Sequence, residues 1–252
     1  MLFATLLTAL PHVIADPQYS IPLNGRYSDL TITLDIQQEP RWAHDIVLNA
    51  SIAWNQAQNW YDENFQAGPS YRFLESSSGS VKVNFGVPAA YSEFAVGWTD
   101  YKFAASPKNS IVSAQVYLDE GIFDAAQGGN STVREYAFRL ALHELGHVLG
   151  LGHLLDGKDI MDPRGPAYLS TKQPLLTTLD LYAIHLLASL ANAPAFAYLP
   201  TSIPYRIVDA SNFLLGEQSI PAPEFSGSHV IFSVLFAVVA SLYLIRRRTR
   251  IT

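Results

Sequence analysis

Three histidines within eleven residues constrain this chain more than any other feature. The stretch reads His143-Glu144-Leu145-Gly146-His147-Val148-Leu149-Gly150-Leu151-Gly152-His153. His143 and His147 stand four apart, so on a helix they share one face, a turn apart. Two imidazoles at that spacing can hold one Zn²⁺. Glu144 follows the first histidine directly, where a carboxylate can handle protons beside the metal without binding it. Gly150 lies just past the last turn, where a left-handed residue can end the helix. The chain can then turn back and offer His153 as a third nitrogen. Three neutral ligands leave one position open, which belongs to catalytic rather than structural zinc. The competing reading is an amphipathic core helix with incidental histidines.

The stretch resembles the metzincin zinc-protease signature H-E-x-x-H-x-x-G-x-x-H at every fixed position. Ile160-Met161-Asp162-Pro163 follows shortly and looks like the methionine turn that lies beneath the zinc in that family. Its spacing, with Asp156 between, resembles the matrixin branch. The resemblance covers roughly Leu30 to Leu190. It implies an α+β, metzincin-like catalytic domain with a mixed, twisted sheet, an active-site helix and a C-terminal helix. It also implies one catalytic zinc on His143, His147 and His153, with Glu144 as general base for peptide hydrolysis. Met161 and Gly150 would support the site without binding metal. In the family an edge strand above the cleft pairs with an extended peptide; here Trp98 to Phe103 or Ile111 to Leu118 would supply it. Pro163 to Tyr168 would wall the pocket for the side chain after the scissile bond. Some positions depart from the family. Leu154 stands where matrixins usually carry serine, and Pro163 stands where some metzincins place a tyrosine ligand. Tyr168 is set further from Met161 than its matrixin equivalent. The histidine set that holds a second, structural zinc in many matrixins is missing.

Composition narrows the remaining options. The 252 residues suffice for one domain with a sizeable core plus extras. The chain has no cysteine, which excludes disulfides, a thiolate metal site and a cysteine nucleophile. It also excludes the cysteine-containing pro-segment that keeps many matrixins latent. A net charge of −6 argues against nucleic acid as the main partner. Asp119, Glu120 and Asp124 can be read as a Ca²⁺ site or as a solvated acidic turn, and the turn is favoured. His12, His44, His185 and His229 have no partner at ligand spacing. Asn49-Ala50-Ser51 and Asn130-Ser131-Thr132 fit glycosylation acceptors.

Along the chain, residues 1–15 are apolar and end in a small-residue site before Asp16, which predicts a signal peptide; the bland alternative is a buried first strand. Residues 16–192 are the expected catalytic domain. Leu30, Ile32, Leu34 and Ile36 alternate onto one strand face. Pro40 suits the first turn of a helix whose Ala43, Ile46, Val47, Ala50, Ala53, Trp54 and Ala57 repeat at helical spacing. Tyr71 to Leu74, Val81 to Phe85, Trp98 to Phe103 and Ile111 to Leu118 read as further strands. Thr132 and Glu135 suit a capping box for the histidine helix. A third helix is expected from about Thr178 to Leu190. Residues 193–228 carry Pro194, Pro200, Pro204, Pro221 and Pro223 and read as a stalk. A packed extension is the alternative, favoured by Tyr198, Tyr205 and Phe213. Residues 229–245 have the length and apolarity of a transmembrane helix, and 246–252 form a basic cytoplasmic tail. The expectation is a single-pass zinc endopeptidase at the cell membrane with its catalytic domain extracellular. The runner-up is a catalytically inactive peptide-binding or adhesive ectodomain, against which the intact Glu144 speaks. A zinc hydrolase acting on something other than peptide is the third reading.

Overall fold

The computed structural model describes residues 19–38, 40–92, 95–155, 159–163 and 175–213. Two short strands, β1 (Ser20–Pro22) and β2 (Arg26–Tyr27), precede β3 (Thr31–Ile36). β3 buries Ile32, Leu34 and Ile36 on one face, as period-two alternation requires. Leu30 leaves the expected set: it lies before the strand and is 41% exposed. Pro40 is the N-cap of α1 (Arg41–Phe65), where no helical N–H bond is asked of it. Ala43, Val47, Ala50, Ala53, Trp54 and Ala57 recur at helical spacing and are fully buried. Five of those six are small, so α1 can lie close on its neighbours.

β4 (Arg72–Glu75), β5 (Val81–Phe85), β6 (Gly97–Phe103) and β7 (Ser110–Leu118) complete the main sheet. Its order is β2-β7-β5-β3-β4, with β6 paired to β7. Every pairing is parallel except β6 with β7, so the sheet is mixed. β5 and β6 meet the same residues of β7, Ala114 to Leu118, and so flank it on opposite edges. β6 has no second strand partner among the described residues. α2 (Glu120–Gln127) and α3 (Ser131–Val148) follow, then β8 (Leu175–Thr177) and α4 (Thr178–Ser189). α1 and α3 pack together, and the Trp54 indole N–H donates to the Leu142 carbonyl at 3.0 Å. The α+β architecture with a mixed sheet is as expected.

Several local expectations are corrected. α3 is capped by Asn130, not Thr132: the Asn130 side-chain oxygen accepts the Thr132 N–H at 3.0 Å. Asparagine is among the strongest caps, and it starts the helix two residues earlier. The acidic segment is also a helix start. Asp119 caps α2 by accepting the Ile122 N–H at 3.0 Å, and Glu120 lies in the first turn. These carboxylates belong to no ligand grouping among the described residues.

The stalk reading fails over its described part. β9 (Phe196–Tyr198) pairs with β1, and β10 (Ile207–Asp209) pairs with β8. A 3-10 turn, Ala210–Phe213, follows and contacts α1. Ala197 and Ala210 are fully buried, so up to Phe213 the packed alternative holds. The expected signal peptide (1–15), transmembrane helix (229–245) and basic tail (246–252) lie outside the described residues. Among the described residues no helix is long and apolar enough to cross a membrane.

Candidate active site

α3 presents His143, Glu144 and His147 from its last two turns, all buried. The helix ends where Gly150 takes φ +94°, and its N–H donates to the His147 carbonyl at 2.7 Å. A side chain there would be strained and would also collide with the Gly25 carbonyl. The chain that reverses at Gly150 is tied to the N-terminal segment. The Asn24 N–H donates to the Gly150 carbonyl (2.8 Å), and the Gly152 N–H donates to that of Pro22 (2.7 Å). Leu23 forms a bridge with Leu151. His153 thereby returns to the face of α3 that carries the other two histidines.

The histidine nitrogens converge. One ligating nitrogen from each of His143, His147 and His153 lies within 4.8 Å of the others, and His147 Nε2 is 3.1 Å from His153 Nε2. Tetrahedral zinc with Zn–N near 2.0–2.1 Å sets ligand nitrogens about 3.3 Å apart. The donor chemistry fits. His143 Nδ1 donates to the Ile160 carbonyl at 2.6 Å, and His147 Nδ1 donates to the Leu151 carbonyl at 2.8 Å. Carbonyls only accept, so both rings carry their proton on Nδ1 and keep an Nε2 lone pair for a metal. Burial holds all three imidazoles below their ordinary range, His143 at about 4, which keeps them neutral; Asp162 opposes the shift at His143 and His153. Neutral imidazole is the form that binds zinc.

Glu144 lies beside this cluster and outside it. Thr99 Oγ1 donates to Glu144 Oε2 at 2.7 Å. Burial pushes the carboxyl up to about 7, and the Thr99 bond acts against that rise. Gly97 leaves the space that the carboxylate fills, because a Cβ there would overlap Oε1. Met161 is fully buried and packs on Gly146, between the two helical histidines, where a methyl group would overlap its sulfur. Asp159 accepts the Met161 N–H at 2.7 Å and the Thr177 hydroxyl at 2.9 Å, tying this turn to the start of α4. Pro163 is half-buried two residues on, while Tyr168 lies outside the described residues.

Sequence reasoning missed the supporting groups: Thr99, Tyr101, Asn24 and the carbonyls of Leu151 and Ile160. The available signal was alternation along β6. Gly97 and Thr99 meet Glu144, and the Tyr101 hydroxyl donates to the His147 carbonyl at 2.7 Å. Two-residue strand steps of about 6.6 Å run alongside helical turns of about 5.4 Å, so one β6 face can track one α3 face. His44 and His185 bond elsewhere, to Glu75 and to the Gly68 carbonyl.

The sequence profile of the family described as Matrixin matches residues 31–188. No curated protein sequence matches the chain. Among solved structures, the GM1 bound form of the ECX AB5 holotoxin is similar at 12% identity and a TM-score of 0.37, over 69% of this chain and 92% of that one. The structure of myroilysin is similar at 19% identity and a TM-score of 0.31, over 54% of this chain and 55% of that one.

Proposed function

We propose, from the premise that this chain belongs to the matrixin family of zinc endopeptidases, that it cleaves extended peptides at the centre formed by His143, His147 and His153, with Glu144 moving the proton. One observation carries the reading. The Nδ1 protons of His143 and His147 are both held by backbone carbonyls, which leaves their Nε2 lone pairs free beside His153 and Glu144.

A zinc held by His143, His147 and His153 would supply Lewis acidity, which lowers the pKa of water to about 7 in such sites. Glu144 takes a proton from the attacking water on Oε1 or Oε2 and returns it to the leaving amine. Such transfers contribute about 10²–10⁴-fold. Thr99 holds Oε2, which limits the rotamers open to the carboxylate. Met161, beneath the histidines, fills space and excludes water. Substrate pairs with β6: this strand lies along α3 and has one edge without a strand partner among the described residues, whereas β7, the other candidate, is paired on both sides. Main-chain bonds to that edge hold the peptide extended whatever its side chains. Pro163 contributes to the wall after the scissile bond.

The reading extends to location. Val230 to Ile245 is almost continuously apolar, and Arg246, Arg247, Arg248 and Arg250 follow. That pattern supports a single C-terminal span with the arginines inside and the catalytic domain extracellular.

Two experiments test these statements. Metal analysis with a peptide-library digest should find one zinc per chain and cleavage that stops on chelation. Zinc without cleavage of any peptide would favour the inactive ectodomain. Protease shaving of intact cells should release the catalytic domain and spare a C-terminal tag; a domain that survives shaving sinks the outward-facing anchor.

A further inference from the structure

Asn24 lies outside the stretch matched by the family profile, yet its side chain bonds the carbonyl that holds the His147 ring. Asn24 Nδ2 donates to the Leu151 carbonyl at 2.9 Å, the same oxygen that accepts the His147 Nδ1 proton at 2.8 Å. It also lies 3.2 Å from the Tyr101 hydroxyl, which donates to the His147 carbonyl at 2.7 Å. The three residues come from the N-terminal segment, the edge strand β6 and the end of α3. His147 is thus gripped twice, at its ring through Leu151 and at its backbone through Tyr101, and Asn24 joins the two grips. Asn24 is itself fixed, because its N–H donates to the Gly150 carbonyl and its neighbour Leu23 bridges Leu151.

We propose that Asn24 and Tyr101 are positioning residues for the metal: they orient the His147 imidazole and link the substrate-pairing strand to the zinc ligand. An imidazole whose far nitrogen donates to a fixed acceptor is held in one tautomer and one ring plane, and loss of such a partner typically costs about 10–100-fold in metal affinity. Leu151 is a backbone carbonyl on a reversing turn, so its direction depends on what else it bonds. Asn24 is that second bond. Tyr101 adds the connection to β6: a peptide that pairs with the outer edge of this strand presses on a strand whose inner face holds the His147 carbonyl.

The inference rests on the zinc reading of the three histidines. Its test uses the full chain, zinc affinity by competition with a chromophoric chelator, and the visible spectrum of the cobalt-substituted protein, which reports ligand geometry. Asn24→Ala should weaken zinc by about tenfold, the lower end of what losing a direct partner costs because the Leu151 carbonyl itself remains, and shift the cobalt bands. Tyr101→Phe should do the same by a smaller factor, and the pair should be non-additive because they share one network. Ile21→Val loosens the same segment without touching the network; it should lower the melting temperature and leave zinc affinity within about twofold. If Asn24→Ala does not fold, Asn24→Leu, close in shape and uncharged, removes the amide donors and carries the same expectation. Zinc affinity and cobalt bands that move no more in the Asn24 variants than in Ile21→Val overturn the proposal, and parental zinc binding then leaves the function standing. A parent that binds no zinc overturns both.

Discussion

His143 and His147 stand on a continuous helix in dry surroundings, only 4% and 9% exposed, whereas His153 reaches the same point from an exposed turn. The helical side takes its ligand spacing from local structure, although its packing is long-range. Its spacing comes from the helix repeat, and its packing comes from Trp54 and Met161, which close on Gly146. The turn side is held from far away in the chain, by Pro22, Leu23, Asn24 and Gly25. One metal centre therefore joins a half whose spacing local sequence dictates to a half that needs the folded domain. Disturbing either half should damage different properties.

The largest expected effect belongs to neither half. Glu144→Gln keeps the volume and the Thr99 contact but cannot cycle a proton. Turnover should fall by about 10²–10⁴-fold with zinc content unchanged. A variant that turns over like the parent removes Glu144 from the mechanism.

The turn side comes next. His153→Ala should lose zinc to a chelator wash that the parent survives, while far-UV circular dichroism stays the same, because an exposed side chain contributes little to the core. Stoichiometric zinc after the wash would show that the two helical histidines suffice, and the comparison between halves would collapse.

Two glycines sharpen the contrast at a smaller scale. Gly146→Ala drives a methyl into Met161 and Trp54, an overpacking that costs about 1–3 kcal/mol. Gly150→Ala forces a side chain to φ +94° against Gly25, also costing about 1–3 kcal/mol. Both should lower the melting temperature of the metal-free protein. At equal loss of stability, Gly150→Ala should speed zinc dissociation more, since it displaces the chain leading to His153. Equal rates in the two variants would mean that the halves are not held separately.

The smallest effect is a control outside the metal centre. His185 packs on Tyr61, donates to the Gly68 carbonyl, and is kept below its ordinary range mainly by burial. The unfolded chain takes up this proton first, near pH 6.5, so stability should fall as pH drops below that value. The fall should level off once the folded histidine also protonates. Urea midpoints between pH 7.5 and 5 should decline less in His185→Gln than in the parent; parallel declines would remove His185 as a source.

The same division explains what the sequence could show. The ligand set, the Gly150 turn, α1 and the strands β3, β5 and β7 all announce themselves within a few consecutive residues. The supports do not. β1, β9 and β10 have three residues each, too few for alternation to appear, and their partners lie far off in the chain. The prolines around β9 suggested an extended stalk, yet Ala197 is fully buried against the domain. Asn130 displaced Thr132 as the cap because both residue types suit that position, and spacing alone does not choose between them. Tyr101 was visible as a strand residue. That its face points at His147 follows only from how β6 lies along α3.

The β6 edge, unpaired among the described residues and proposed to take a peptide, would equally take any other extended chain, including another copy of this one. β6 carries the restraints that natural sheets use against self-templated aggregation. Lys102 is exposed on it, Asp100 is half-buried and bonds the Trp98 indole, and the register shifts between Lys102 and Phe103. The extra residue at that shift is Val112 of β7, which raises the local twist of the pair, and the charges interrupt the apolar run of β6, so the flat template is short. In the proposed reading, selectivity would be exercised twice along one row of backbone groups: once for what is admitted to be cut, and once against what would never leave.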